Sequence, residues 1–194
     1  MEKQFVSAQS LLEDSFELGL QIFESAYRPT FIMGVWRGGA PIGIAVQEIL
    51  DMLGQPTDHF AIRTSSYGGG TVPSKQVQVI GLEHVVKRID SDDNLLIIDD
   101  VFDTGLSIDA ILTELRSLCV NRLPKNIRVA ALYYKPKRNK TERTPDFYIH
   151  ETDSWTVFPH ELRGCNRAEI LAHKAVPKRF FDVLEREKPT AFRE

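Results

Sequence analysis

Residues Leu95–Ile108 read LLIIDDVFDTGLSI: four large aliphatic residues, two carboxylates, two more hydrophobics, then Asp103-Thr104-Gly105-Leu106-Ser107. A wholly apolar run of this length, bounded by charge, is the pattern of a strand buried on both faces, as parallel strands are when helices cover the sheet. In open α/β sheets, ligands bind outside the carboxyl ends of the strands. A helix opening near Ser107 would present unpaired N–H groups and the positive end of its dipole there, which suits a phosphate. Gly105 would let the backbone approach a ligand closely, and the hydroxyls of Thr104 and Ser107 add donors. Asp99 and Asp100 are adjacent, so on a regular strand they project to opposite faces. Side by side they can hold a diol or a hydrated metal. Taken alone, D-x-G-x-S reads as Asp103 and Ser107 capping a helix, but the whole string is far more specific. Neither G-x-x-x-x-G-K-[ST] nor G-x-G-x-x-G occurs, so a Walker A loop and a dinucleotide fingerprint are excluded.

The same alternation of strand and helix extends to both sides. Leu12, Phe16, Leu20 and Phe23, widened by Leu11, Leu18 and Ile22, give residues 8–25 the 3.6-residue period of an amphipathic helix. Thr30–Val35 predicts a strand running into the turn Arg37-Gly38-Gly39, and residues 40–53 a helix. Strands are expected at His59–Arg63, Gln76–Ile80 and Ile127–Tyr134, and a helix over Ser107–Leu118. Beyond Lys135 come short strands at Asp146–His150 and Trp155–Phe158, small helical segments, and a docking helix over Lys178–Glu187. Residues 31–134 therefore read as an α/β core. Residues 1–30 and 135–194 would pack on it as an N-terminal helix and a small cap over the sheet's C-terminal edge.

Composition narrows the classes. A chain of 194 residues is long enough for one ordinary core. Its 42% hydrophobic and 26% charged residues exclude general disorder and fibrous repeats. The 24 basic and 27 acidic residues leave a net charge of −3, against the basic footprint of a nucleic-acid binder. No stretch approaches the ~20 apolar residues of a membrane span, and Met1–Phe5 lacks the apolar core of a secretory signal. Two cysteines are too few for a disulfide framework. The expected setting is the cytoplasm, with no nucleic-acid or membrane partner. The one dense basic run, Lys135 to Arg143, reads as a solvated loop.

The string IIDDVFDTGLS resembles the phosphoribosyl pyrophosphate (PRPP) signature of the type I phosphoribosyltransferases. Gly34-Val35-Trp36-Arg37-Gly38-Gly39 resembles that family's pyrophosphate loop, and Ser66-Tyr67 its mobile-loop pair. Lys135 directly after a strand, with Trp155 and Thr156 in DSWTVFPHE, resembles the purine-contacting elements of the hypoxanthine, guanine and xanthine branch. The resemblance spans residues 34 to 161. It implies an open, twisted, mainly parallel α/β sheet with helices on both faces, carrying a small hood.

It also implies residue roles. Asp99 and Asp100 would hold the ribose hydroxyls and Mg²⁺, the expected cofactor. Asp103 would sit near purine N7 as general base, and Asp103, Thr104, Gly105, Leu106 and Ser107 would cradle the 5′-phosphate. Arg37, Gly38 and Gly39 would meet pyrophosphate, and Ser66 and Tyr67 would close over the site. Lys135 would donate to the purine 6-oxo group while Trp155 stacks on the ring. Glu161 stands where relatives often carry an aspartate facing a second metal site, and Arg167 matches a pyrophosphate-binding arginine. In this reading Lys137, Arg138 and Lys140 remain ordinary loop charges, and His150 and His160 are structural.

The partners implied are PRPP and a free purine base, and the apolar terminal helices suggest a homodimer or homotetramer. Two other classes compete. A PRPP- or nucleotide-sensing regulator on the same fold would not need Asp103, Lys135 and Trp155 together. A phosphoacceptor or phosphatase domain fits poorly with a T-G-L-S loop directly after mid-chain acids.

Overall fold

The computed structural model describes residues 3–66 and 77–187. The chain divides into two compact units, one of Leu12–Asp153 and one of Met1–Leu11 with Ser154–Glu194.

The larger unit is built on a six-stranded sheet. In chain order its strands are β2 (Phe31–Trp36), β3 (Asp58–Ser66), β4 (Val77–Ile80), β5 (Asn94–Phe102), β6 (Asn126–Tyr134) and β7 (Phe147–Glu151), following β1 of the smaller unit. They lie in the order β4-β3-β2-β5-β6-β7, every pair parallel except the β3–β4 hairpin. Its helices are α1 (Ala8–Glu24, whose first turn belongs to the smaller unit), α2 (Gly39–Met52), α3 (Leu82–Val85) and α4 (Leu106–Cys119).

The apolar run at residues 95–98 divides between the two faces, as its period of two requires. Leu95 and Ile97 join Met33, Ile111 and Leu115 in the core between the sheet and α3 and α4. The other face meets α2, where Gly43 lies against Ile32 and the backbone of Gly34. Leu95, Leu96, Ile97 and Ile98 are all fully buried. The mainly parallel α/β sheet expected from the sequence is present.

Two boundaries differ from the sequence reading. The units part at 11/12 and 153/154 instead of 30/31 and 134/135. Most of α1 belongs with the sheet, because Gly19 leaves room for Ile49 of α2. The segment after α1 is tied there too, since the Tyr27 hydroxyl donates to the Leu95 carbonyl at 2.9 Å. β7 belongs there because it extends the sheet beside β6. β5 also runs farther than expected. It stays paired with β6 as far as Phe102↔Tyr134, so Asp99 and Asp100 lie within the strand.

In the smaller unit, β1 (Lys3–Phe5) pairs in parallel with β8 (Trp155–Val157). Helices α5 (Arg167–His173) and α6 (Arg179–Glu187) complete it. Val157, Cys165, Ile170 and Phe181 form its core. Asn166 and Glu169 close a capping box at the start of α5. Lys3 donates to Glu169 at 2.8 Å, fixing β1. The pairing of β1 has no signal in three residues of sequence. Cys119 and Cys165 are both buried free thiols. No helix among the described residues is long and apolar enough to cross a membrane.

Tyr27 gives the larger unit a pH-dependent anchor. Burial, opposed by the nearby Arg128, pushes its phenol well above the usual tyrosine range. The unfolded phenol ionises near pH 10, whereas the folded one keeps its proton. The stabilisation is therefore complete below about pH 10 and is lost as pH rises beyond it. Tyr27→Phe is expected to cost about 0.5–1.5 kcal/mol at neutral pH, the usual worth of one such hydrogen bond. It should also flatten the alkaline fall in stability, read from urea titrations on either side of that pH.

Candidate active site

The site residues of the larger unit collect where β2, β5 and β6 end. β2 finishes at Trp36, and the Trp36–Arg37 peptide bond is cis. Arg37 is exposed, while Gly38 and Gly39 are buried as the chain turns into α2. Their lack of side chains has a direct cause in β5. A Cβ on Gly38 would lie 1.7 Å from Asp100 Oδ2, and one on Gly39 would lie 2.2 Å from the Ile98 carbonyl oxygen. The turn is pressed against the strand that carries the acidic pair.

Asp99 and Asp100 are both partly buried. Each carboxylate accepts the next backbone N–H, Asp99 from Asp100 at 2.9 Å and Asp100 from Val101 at 2.8 Å. Burial and the adjacent Asp100 push the Asp99 carboxyl well above the ordinary range. Two like charges in one partly dry site favour whatever cation can neutralise them.

After β5 the chain bends through Asp103 and Thr104 to Gly105, whose φ of 76° is left-handed and caps α4. A Cβ on Gly105 would lie 2.5 Å from Thr141 Oγ1, so glycine is required for packing as well as conformation. The Thr104 hydroxyl accepts from Leu106 N at 3.4 Å. Residues 103–107 thus lead into the helix N-terminus as the sequence implied.

Lys135 follows β6 directly and is only 5% exposed. Its backbone N–H donates to the Phe102 carbonyl at 3.0 Å. Among the described residues its ammonium has no hydrogen bond or ion pair. Burial lowers its pKa, opposed by the charges of Asp103, Asp100 and Asp153. The carboxylates that act on it are carried by β5, by the bend after it, and by the segment after β7.

The basic run after Lys135 is not a free solvated loop. Pro136–Arg138 forms a single 3₁₀ turn, and the Arg138 Nε donates to Asp103 Oδ1. Asn139 Oδ1 accepts from Thr141 N at 3.0 Å, and Asn139 Nδ2 donates to the Arg143 carbonyl at 2.9 Å. Sequence reasoning missed Arg138 and Asn139, because no local spacing shows that this loop folds back on residues 103–105.

Trp155, Thr156, Glu161 and Arg167 fall in the smaller unit. Trp155 is 56% exposed, and the buried Thr156 hydroxyl has no partner among the described residues. Glu161 accepts the Phe158 N–H at 3.0 Å. Arg167 pairs with Glu185 at 2.7 Å and lies over the Phe181 ring, so its guanidinium is engaged within its own unit. His150, in the larger unit, bonds Asp14 at 2.9 Å, and His160 stacks on Phe158. Ser66 ends β3; Tyr67 lies outside the described residues. Among the described residues, no three histidine, cysteine, aspartate or glutamate side chains converge as a metal cluster.

The phosphoribosyl transferase domain family matches residues 3–163. The chain belongs to that family. This phosphoribosyltransferase is 26% identical over 152 residues to a hypoxanthine-guanine phosphoribosyltransferase of Streptococcus thermophilus, spanning 78% of this chain and 79% of the relative. A Staphylococcus epidermidis enzyme of the same name is 31% identical over 118 residues, 59% of each chain. Among solved structures, a purine phosphoribosyltransferase from Pyrococcus horikoshii superposes with a TM-score of 0.63 at 28% identity, covering 84% of this chain and 95% of that one. A Neisseria gonorrhoeae protein bound to ppGpp shares the fold, with a TM-score of 0.69 at 18% identity, covering 84% and 91%.

Gly39→Ala tests the packing beneath the site. Its methyl group would meet backbone on β5, which cannot rotate away, so α2 must shift. We expect a loss of about 1–3 kcal/mol, as for other overpacked interior positions, read from the urea midpoint.

Proposed function

We propose that this protein serves purine salvage, moving the 5-phosphoribosyl group of PRPP to a 6-oxopurine, either hypoxanthine, guanine or xanthine. The products are the nucleoside 5′-monophosphate and pyrophosphate. The observation that carries the reading is Lys135, a buried residue at a strand end that feels the charge of Asp103. The names of the relatives support the same base class.

In the reaction a purine nitrogen attacks C1′ of PRPP, the bond from C1′ to the pyrophosphate oxygen breaks, and pyrophosphate departs. In this reading Asp103 would accept the purine N–H proton, at the start of the 103–107 loop that would cradle the 5′-phosphate. Positive charge develops on the ribosyl centre, and the Asp99 and Asp100 carboxylates would stabilise it. Arg37 and the backbone of Gly38 and Gly39 meet the pyrophosphate.

The donor chemistry of Asp99 and Asp100 fits Mg²⁺. Two adjacent hard carboxylate donors are the ligand type that a hard cation shared with substrate phosphates takes. When bound, the ion would neutralise the leaving pyrophosphate. Glu161 and Arg167 enter on the resemblance alone, as do the base contacts of Trp155 and Thr156 and the closing role of Ser66 and Tyr67. The reading includes a cytoplasmic homodimer or homotetramer, for which exposed Leu12 and Leu20 of α1 offer apolar contact.

Two measurements test it. Hypoxanthine presents an acceptor to Lys135, whereas adenine presents a donor and would leave the ammonium unpaired. Sites built on such a hydrogen bond discriminate by about 10⁴-fold. Competition for limiting PRPP should therefore yield almost only the 6-oxopurine nucleotide, and Lys135→Ala should lose most of that preference. Comparable use of adenine by the unaltered protein would refute the base assignment. Separately, Asp99→Asn with Asp100→Asn should sharply weaken PRPP binding in the presence of Mg²⁺. An unchanged calorimetric affinity would remove the acidic pair from the site.

A further inference from the structure

Arg138 was expected to be one charge among several in a solvated loop, yet its surroundings are ordered around Asp103. The Lys135 N–H donates to the Phe102 carbonyl, and the Lys140 N–H donates to the Thr104 carbonyl, each at 3.0 Å. These two bonds bracket Asp103 in sequence. Between them the Arg138 N–H donates to the Lys135 carbonyl at 3.0 Å, closing the 3₁₀ turn. The Asn139 side chain then braces the rest of the loop through Thr141 and Arg143. Arg138 therefore reaches Asp103 Oδ1 from a backbone fixed to the same stretch of chain.

Stability does not account for this ion pair. Both side chains are substantially exposed, Arg138 at 44% and Asp103 at 35%, and exposed pairs contribute little to folding. The charged groups around it are Lys135 on one side and, near that lysine, Asp100 and Asp153. Without Arg138, the Asp103 carboxylate could swing toward Lys135.

We propose that Arg138 is a positioning residue for phosphoribosyl transfer: it holds one oxygen of Asp103, fixing the rotation of the carboxylate so that the other oxygen meets the purine. This rests on the reading of Asp103 as the proton acceptor. Proton transfer demands close alignment of donor and acceptor, and a carboxylate free to rotate loses much of its effectiveness.

The test is a double-mutant cycle with hypoxanthine and PRPP, comparing the unaltered protein, Arg138→Gln, Asp103→Asn and the double variant. Arg138→Gln should lower kcat about 10-fold through misalignment alone, with KM for PRPP within about twofold and an unchanged Tm. Asp103→Asn should lower kcat by about 100-fold or more, as for a lost general base. In that background Arg138→Gln should add less than about twofold, since residues acting as a unit are non-additive. Arg138→Lys should recover part of the loss. An equal drop in both backgrounds, a raised KM for PRPP at unchanged kcat, or no drop at all would overturn the proposal while leaving the enzymatic reading intact. Absence of turnover in the unaltered protein would overturn both.

Discussion

Even a methyl group at Gly39 would collide with the carbonyl oxygen of Ile98, and one at Gly38 with the carboxylate of Asp100. This contact between a turn and a neighbouring strand end fixes the rest of the site. Because β2 and β5 are adjacent and parallel, their carboxyl ends emerge together. The turn after β2 can then deliver backbone to within touching distance of the acidic pair. α2 starts at that contact, and its apolar residues Ile42 and Val46 are buried as it runs back along the sheet. Packing and chemistry are coupled here, because the glycines that let α2 approach the sheet also bring the arginine turn to the carboxylates.

The electrostatics follow from this crowding. Asp99, Asp100 and Asp103 come from nine residues of β5 and the bend after it, and Lys135 and Arg138 from the end of β6 and the turn beyond. Burial works against the charged forms of Asp99 and Lys135. It raises the pKa of Asp99 and lowers that of Lys135. An anionic substrate, a cation and a hydrogen-bonding base would each relieve part of that cost. Arg138 and Asp103, nearer to water, satisfy each other directly.

The two units differ in what holds them. The larger has a continuous sheet whose central strands β2, β5 and β6 are buried on both faces, so burial dominates. The smaller is assembled from short pieces far apart in sequence and relies on specific polar ties. Examples are the Lys3–Glu169 pair, the capping box at Asn166, and the buried Lys174, which donates to the Phe158 carbonyl at 2.6 Å. Such ties carry little periodicity, which is why β1 and α5 are nearly invisible in the sequence.

By itself the sequence determined the parallel α/β sheet, the positions of α1, α2 and α4, and the acidic strand end leading into a helix N-terminus. These are local properties. Burial on two faces forces a wholly apolar run, a helix face forces a 3.6-residue period, and a left-handed cap forces Gly105. The tertiary structure alone decided that α1 and β7 belong with the sheet, that β5 continues past its carboxylates, and that Arg167 is engaged with Glu185 and Phe181. It alone turned the basic run from a solvated loop into a brace on Asp103. Each of these depends on a contact between residues distant in the chain, such as Arg138 with Asp103 across 35 positions. Side-chain periodicity records which face a residue shows to the core, but not which charge it will meet there.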